Sequence, residues 1–274
     1  MPHIAILLAT HRIDDTVVEQ YRKLQAEAGP ECSVFVLYDN SQGDWPAVSA
    51  GLDLQGHPFS WDEIYARGYK IDFYRRGDLH WLGHNDLTTL SFWRANPDYD
   101  FYWFIEYDVR FSGHWRRFFD EFHDNRADLL TTTLVRKRDV PDFYWWASFK
   151  SPKWFFRQHH LLRAFLPVYR ISQQACALLD ATSRAGWRGH HEVKVPTVLL
   201  YHGLQLEDLG GRGEFVPHQR VNKFYTNDPT CAALDSGTFR FRPVMEEPGL
   251  QSDMLWHPVK PGGDRRDEKK KRQS

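Results

Sequence analysis

Cysteine is scarce. Cys32, Cys176 and Cys231 are odd in number and far apart in 274 residues, which argues against a disulfide framework and suits a reducing compartment. An excess of either charge is missing as well. Lys and Arg number 35 against 36 Asp and Glu, a formal net charge of −1, which removes bulk nucleic-acid binding as a role. No apolar run approaches the roughly 18 residues of a spanning helix. The opening MPHIAILLATHR carries no basic leader and no small-residue cleavage site, so no signal peptide is expected. Several catalytic signatures are also absent. Without G-x-x-x-x-G-K-[ST], and without G-x-G-x-x-G after the first predicted strand, P-loop kinases and Rossmann dehydrogenases drop out. A serine triad would lack its G-x-S-x-G elbow. His159, His160, His190, His191, His202 and His218 show no H-x-x-x-H spacing for zinc. The expectation is a soluble, cytoplasmic protein.

Aromatic residues, by contrast, are abundant: 15% of the chain, with 11 Trp. Indole N–H and phenol O–H groups need partners when buried. Such an excess lines sites where flat apolar faces meet sugars or a membrane interface, or else it simply fills an aromatic core.

The periodicity predicts an α/β fold. His3–Thr10 is a short apolar run, ending in polar His11 and Arg12, that reads as a buried parallel strand. Asp14 and Asp15 offer an N-cap for a helix over 16–28, stopped by Gly29-Pro30. A second strand is predicted over 33–38, then a strand over 70–74, a helix over 86–95, a strand over 100–105, a helix over 115–125 and a strand over 128–134. Residues 136–170 interleave basic residues with a dense aromatic set, and Pro141, Pro152 and Pro167 break any long helix there. A helix is predicted over 171–185 and a strand, interrupted by Pro196, over 193–200; irregular structure follows Gly203. One domain over 1–261 is expected, with a nucleotide half (1–135) and an acceptor half (136–261). The charged tail 262–274 is expected to be disordered.

Ligands of open parallel sheets bind beyond the carboxyl ends of the strands. Three predicted strands end there in polar clusters: Thr10-His11-Arg12, Asp39-Asn40-Ser41 and Glu106-Tyr107-Asp108. On extended backbone, Glu106 and Asp108 share a face and can reach one hard cation such as Mn²⁺ or Mg²⁺. Alternatively they only solvate the strand end.

Four stretches resemble, in order, the nucleotide-sugar-dependent glycosyltransferases of the GT-A fold, especially the family typified by bacterial polysaccharide and rhamnosyl transferases. They are Ile6–Arg12, the turn Leu37–Asp44, Leu82-Gly83-His84-Asn85 before a helix, and Tyr99–Asp108, which resembles the strand carrying the DxD motif of that fold. The match covers about the first 110 residues. It implies a GT-A-like open mixed sheet, a Rossmann-like nucleotide half flanked by helices. By the same resemblance Thr10, Arg12 and Asn85 lie at the nucleotide-sugar, Asp39 contacts the base (uracil), and Glu106 and Asp108 provide the metal and ribose contacts. The sequence departs from the pattern in having Glu rather than Asp first.

The second half must then supply an acceptor site and a base. Inverting members of the fold use an acid there; Glu192 is the first candidate and Asp208 the second, with an ion pair of Glu192 to Arg188 or Lys194 as the alternative. In Trp256–Pro261, His257 and Lys260 resemble the C-terminal His and Lys that metal-using members bring to the cation and the diphosphate, though a surface turn would look the same. The stretch 136–170 has three readings: an acceptor-binding region, an interfacial patch for lipid-linked acceptors at the inner face of the membrane, or core. The expected reaction is metal-assisted transfer of a sugar from a nucleoside-diphosphate donor to a saccharide or lipid-linked hydroxyl, with inversion. A sugar-nucleotide nucleotidyltransferase or a non-catalytic carbohydrate-binding scaffold are the rivals.

Overall fold

The computed structural model describes residues 2–71 and 83–262. Most of the strand expected over 70–74, Leu82 of the third motif and the tail beyond Gly262 lie outside the described residues.

Chain order is β1 (Ile4–Thr10), α1 (Asp15–Glu27), β2 (Cys32–Asp39), α2 (Trp45–Val48), β3 (Gly56–Phe59), α3 (Trp61–Tyr65), α4 (Asn85–Ala95), β4 (Phe101–Glu106), β5 (Arg110–Phe111), α5 (Trp115–Glu121), β6 (Leu129–Arg136), β7 (Leu162–Ser172), α6 (Gln173–Arg184), α7 (His191–Tyr201), β8 (Leu206–Asp208) and β9 (Leu255–Trp256). Seven strands form one open sheet in the order β3-β2-β1-β4-β7-β6-β8. Within it β7 alone runs antiparallel to its neighbours β4 and β6; the other strand pairs are parallel. The fold is therefore a mixed α/β sheet flanked by helices. The second half of the chain contributes β7 and β8 to the same sheet as β1, β2 and β4.

Alternate side chains of β4 divide the core. Trp103 packs on Phe118 and Phe119 of α5 and on Phe122, with ring centroids 5.2 to 5.7 Å apart. Tyr102 and Phe104 point the other way, Tyr102 to Phe92 of α4 and Phe104 to Tyr169, whose hydroxyl meets Thr89 of α4 at 2.7 Å. Both faces are thus covered, which is why β1 and β4 read as continuous apolar runs. The aromatic excess fills this core to a large extent.

Two predictions are corrected. The run 193–200 is not a strand but α7, with Pro196 inside the helix. Nine of its eleven residues are buried, so no helical stripe is visible. No strand is expected within 136–170, whereas β7 is an eleven-residue buried strand that also takes the first two residues of the helix predicted over 171–185. Pro167 falls beyond the last β4 partner, Val168, and inside the irregular stretch opposite Thr131, where no ladder donor is required.

Candidate functional site

The carboxyl ends of β1, β2 and β4 lie side by side, with Ala9 opposite Glu106 and Thr10 opposite Tyr38. Beyond β4 the backbone turns, with Val109 N–H donating to the Glu106 carbonyl at 3.0 Å. Gln20 of α1 clamps this turn by donating to the Val109 carbonyl at 2.8 Å and accepting from Arg110 Nη1 at 2.6 Å. Against it comes the C-terminal segment. β9 pairs with β5, and Val259 N–H donates to the Asp108 carbonyl at 2.8 Å. His257 is thereby carried to the end of β4 across about 150 residues of sequence.

Glu106, Asp108 and His257 each offer one ligand atom, and these atoms lie within 4.8 Å of one another. His257 Nε2 stands 3.7 Å from Glu106 Oε2 and 3.5 Å from Asp108 Oδ1. His257 Nδ1 is 2.7 Å from the Arg240 carbonyl. A proton on Nδ1 satisfies that carbonyl and leaves the Nε2 lone pair facing the two acids, the usual arrangement of a metal-binding imidazole. Asp108 is only 4% exposed, and its buried Oδ1 accepts no hydrogen bond among the described residues. Lys260 Nζ sits 3.2 Å from the other oxygen, Oδ2. Burial opposes the Lys260 charge, but Asp108 and Tyr107 outweigh it and hold its pKa above the ordinary lysine value. Asn85, the first residue of α4, donates from Nδ2 to Glu106 Oε1 at 3.0 Å and so orients that carboxylate.

Glu192 lies in the first turn of α7, 8% exposed. Burial pushes its pKa up to about 8; the Arg163 guanidinium opposes the rise and Glu106 adds to it. Glu192 therefore feels both the acidic cluster and a buried cation. Its position depends on two glycines. His191 N–H donates to the Gly83 carbonyl at 2.8 Å, docking the start of α7 on the loop before α4. Gly83 has φ +92°, and a Cβ there would come within 2.5 Å of His190 Cδ2. Gly189 has φ +140° and faces Phe149 Cα at 2.9 Å from an added Cβ. One junction thus sets both Asn85, which holds Glu106, and Glu192.

The remaining expected residues divide. Arg12 lies over the Tyr107 ring, 4.9 Å from its centroid, and pairs with Asp14 at 2.9 Å. The Thr10 hydroxyl donates to the Arg12 carbonyl at 2.7 Å, so it shapes the turn after β1. Asp39 Oδ1 accepts from the Ser41 hydroxyl at 2.6 Å and Oδ2 from Trp61 Nε1 at 3.1 Å. It stands two strands, about 10 Å, from Glu106. Asp208 is not brought to this cluster. It sits on β8, three strands from β4, accepting from the Leu134 and Gly210 N–H groups and from the Tyr225 hydroxyl. A base role there is withdrawn in favour of a structural one, because its oxygens are already committed to a buried turn.

Sequence reasoning missed the residues around Glu192. Trp145 stacks on His190 with centroids 4.2 Å apart, and His190 Nδ1 lies 3.6 Å from Glu192 Oε2. Arg163, fully buried, donates to the Cys231 and Pro229 carbonyls at 3.1 Å each. Lys194 of α7 pairs with Asp86 of α4 at 2.6 Å, both buried, so Lys194 is not the partner of Glu192. Only an arginine in the apolar run 161–171 hinted at this.

No protein-family model matches the chain, and no curated protein matches its sequence. Among solved structures it is similar to a mannosyltransferase from Pyrobaculum calidifontis in complex with GDP-Man and Mn²⁺, with a TM-score of 0.40 and 13% identity over 80% of this chain. The chain spans 56% of that protein. It is similar also to mouse xyloside xylosyltransferase 1 in its apo form (TM-score 0.41, 11% identity, 78% of this chain and 88% of that one). A third is 4-diphosphocytidyl-2C-methyl-D-erythritol synthase from Anaerococcus prevotii (TM-score 0.43, 7% identity, 76% and 88%).

Proposed function

We propose that this chain transfers a sugar from a nucleoside-diphosphate donor to an acceptor hydroxyl, with a divalent cation held by Glu106, Asp108 and His257. The observation that carries the reading is Asp108 Oδ1, buried without a hydrogen bond among the described residues and facing His257 Nε2. A carboxylate oxygen left so is costly unless a positive charge meets it. Two carboxylates and an imidazole suit Mn²⁺ or Mg²⁺, and the nitrogen ligand favours Mn²⁺. When bound, the cation supplies charge to the departing diphosphate.

Lys260, beside Asp108, places a second positive charge where a phosphate would lie. Asp39 and Trp61 then stand at the base end of the donor, and uracil is the base we propose. Residues 1–135 serve the donor and 136–261 the acceptor, as one unit.

Glu192 is the proposed base. Burial pushes the Glu192 pKa up to about 8, so it acts as a base only in its ionised form, which Arg163 and a cation beside Glu106 would favour. In a single displacement the acceptor oxygen bonds to the anomeric carbon as the bond to the diphosphate oxygen breaks. The hydroxyl proton passes to Glu192, and the anomeric centre inverts.

The test is release of nucleoside diphosphate from UDP-glucose, UDP-galactose, GDP-mannose and dTDP-rhamnose, with water as a slow acceptor. One donor is expected to turn over with Mn²⁺, to stop with EDTA, and to slow about 100-fold in Glu192→Gln. Failure of every donor with either metal would contradict the proposal.

A further inference from the structure

Trp154 and Phe155 occupy the centre of a tight turn closed by a Phe156 N–H to Lys153 carbonyl bond of 3.1 Å, with Ser151 Oγ accepting from Lys153 N–H at 3.0 Å. Such positions favour Gly, Asn, Asp and Ser. Here Trp154 is 94% exposed and Phe155 56%. The turn is not loose at its base. Phe149 and Phe156 pack on each other at 5.1 Å and on Trp187 at 5.9 and 5.7 Å, and Phe156 also meets Tyr201 at 5.4 Å. Buried Phe149 and half-buried Phe156 thus pin the ends while two exposed aromatics project between them.

The charge around this tip has one sign. Lys150, Lys153, Arg157 and His159 are exposed, and no acidic residue occurs between Asp142 and Asp180 in the sequence. Among the described residues Lys150, Lys153 and Arg157 form no ion pair. Lys137 reaches the same region, its Nζ donating to Gln158 Oε1 at 2.7 Å. A second copy of this surface would set like charges against one another. A headgroup layer carrying negative charge meets both features, because Trp favours the interfacial depth and Lys and Arg bind anionic lipid.

We propose that Trp154 and Phe155, with Lys150, Lys153 and Arg157, form a docking tip for an anionic membrane surface. The tip connects directly to the candidate base. Lys150 and Arg188 exchange backbone hydrogen bonds of 2.9 and 3.1 Å, and Arg188 leads through Gly189 into the start of α7. Docking therefore sets the Glu192 side of the molecule against the bilayer, where a lipid-linked acceptor would be presented. That consequence rests on the transferase reading; the docking does not and is measured without turnover.

The full chain is sedimented with vesicles of phosphatidylcholine alone and of equal parts phosphatidylcholine and phosphatidylglycerol. Binding is expected to the anionic vesicles, to weaken as salt is raised, and to fall about tenfold in Trp154→Ala/Phe155→Ala and in Lys150→Glu/Lys153→Glu/Arg157→Glu. Because the tip is exposed, both variants should melt like the parent, which separates docking from misfolding. Absence of binding to anionic vesicles, or equal binding by the aromatic variant, would overturn the proposal. So would a dimer of the parent chain that this variant dissolves.

Discussion

At the residue scale, Glu192 and Asp208 show how hydrogen bonding separates two buried acids. Both are pushed up by burial, Glu192 to about 8 and Asp208 to about 6. Asp208 spends its oxygens on a turn, accepting from Leu134, Gly210 and Tyr225. Among the described residues Glu192 makes no such set of bonds, and it feels the charges of Arg163 and Glu106. Because their native pKa values lie above the ordinary 4.5 and 3.8, the folded protein binds more protons than the unfolded chain between those limits. Stability should therefore fall as pH rises, from Asp208 up to about 6 and from Glu192 up to about 8. Glu192→Gln should remove on the order of 1.4 kcal/mol per pH unit from the slope between 4.5 and about 8, flattening it above pH 6 and leaving only the Asp208 part below. Urea unfolding of metal-free protein across this range measures it; an unchanged upper slope would show that Glu192 is not held protonated by burial. Bound cation near Glu106 should draw the Glu192 pKa back down.

At the scale of elements, the junction of α4 and α7 decides the geometry. Asp86 and Lys194 join these helices through a pair with side chains only 3% and 4% exposed. Removing one partner strands the other charge in the core, so Asp86→Asn or Lys194→Met should each cost roughly 3–5 kcal/mol, whereas the double variant Asp86→Leu/Lys194→Met should recover most of it. Urea denaturation of the three variants checks this; equal additive losses would mean that the pair is not coupled.

The legible and illegible parts of the chain separate along the same physical lines. β1, β2, β4 and α1 could be read because apolar runs, an Asp14 cap and a Gly29-Pro30 stop are local signals. Strand alternation singled out the acids at 106 and 108, but Asp108 lies in the turn beyond β4, and that turn, not extended backbone, brings it to Glu106; His257 and Lys260 followed from resemblance. α7 could not be read, because a helix buried on every side loses its stripe. β3 was missed because His57 and Pro58 make a poor strand except at an edge. The Trp145–His190 stack and the Asp86–Lys194 pair depend on contacts between distant segments, which no local pattern announces.

On the scale of the whole molecule, the proposed site draws on three distant parts of the chain. In the proposed site the ends of β2 and β4 and the turn after β4 provide Asp39, Glu106 and Asp108, the start of α7 provides Glu192, and the segment 255–260 returns His257 and Lys260 through β9. The sheet makes this possible, since antiparallel β7 joins the second half directly to β4. Among the described residues no helix is long and apolar enough to cross a membrane.

Calorimetric titration of UDP, with and without Mn²⁺, into the parent chain, Asp108→Asn and His257→Ala tests this assembly most directly. The account predicts that UDP binds the parent only with Mn²⁺, and that each substitution lowers the affinity by about 100-fold or more while the fold is retained. Equal UDP binding with and without Mn²⁺, or unchanged binding in both variants, would contradict it.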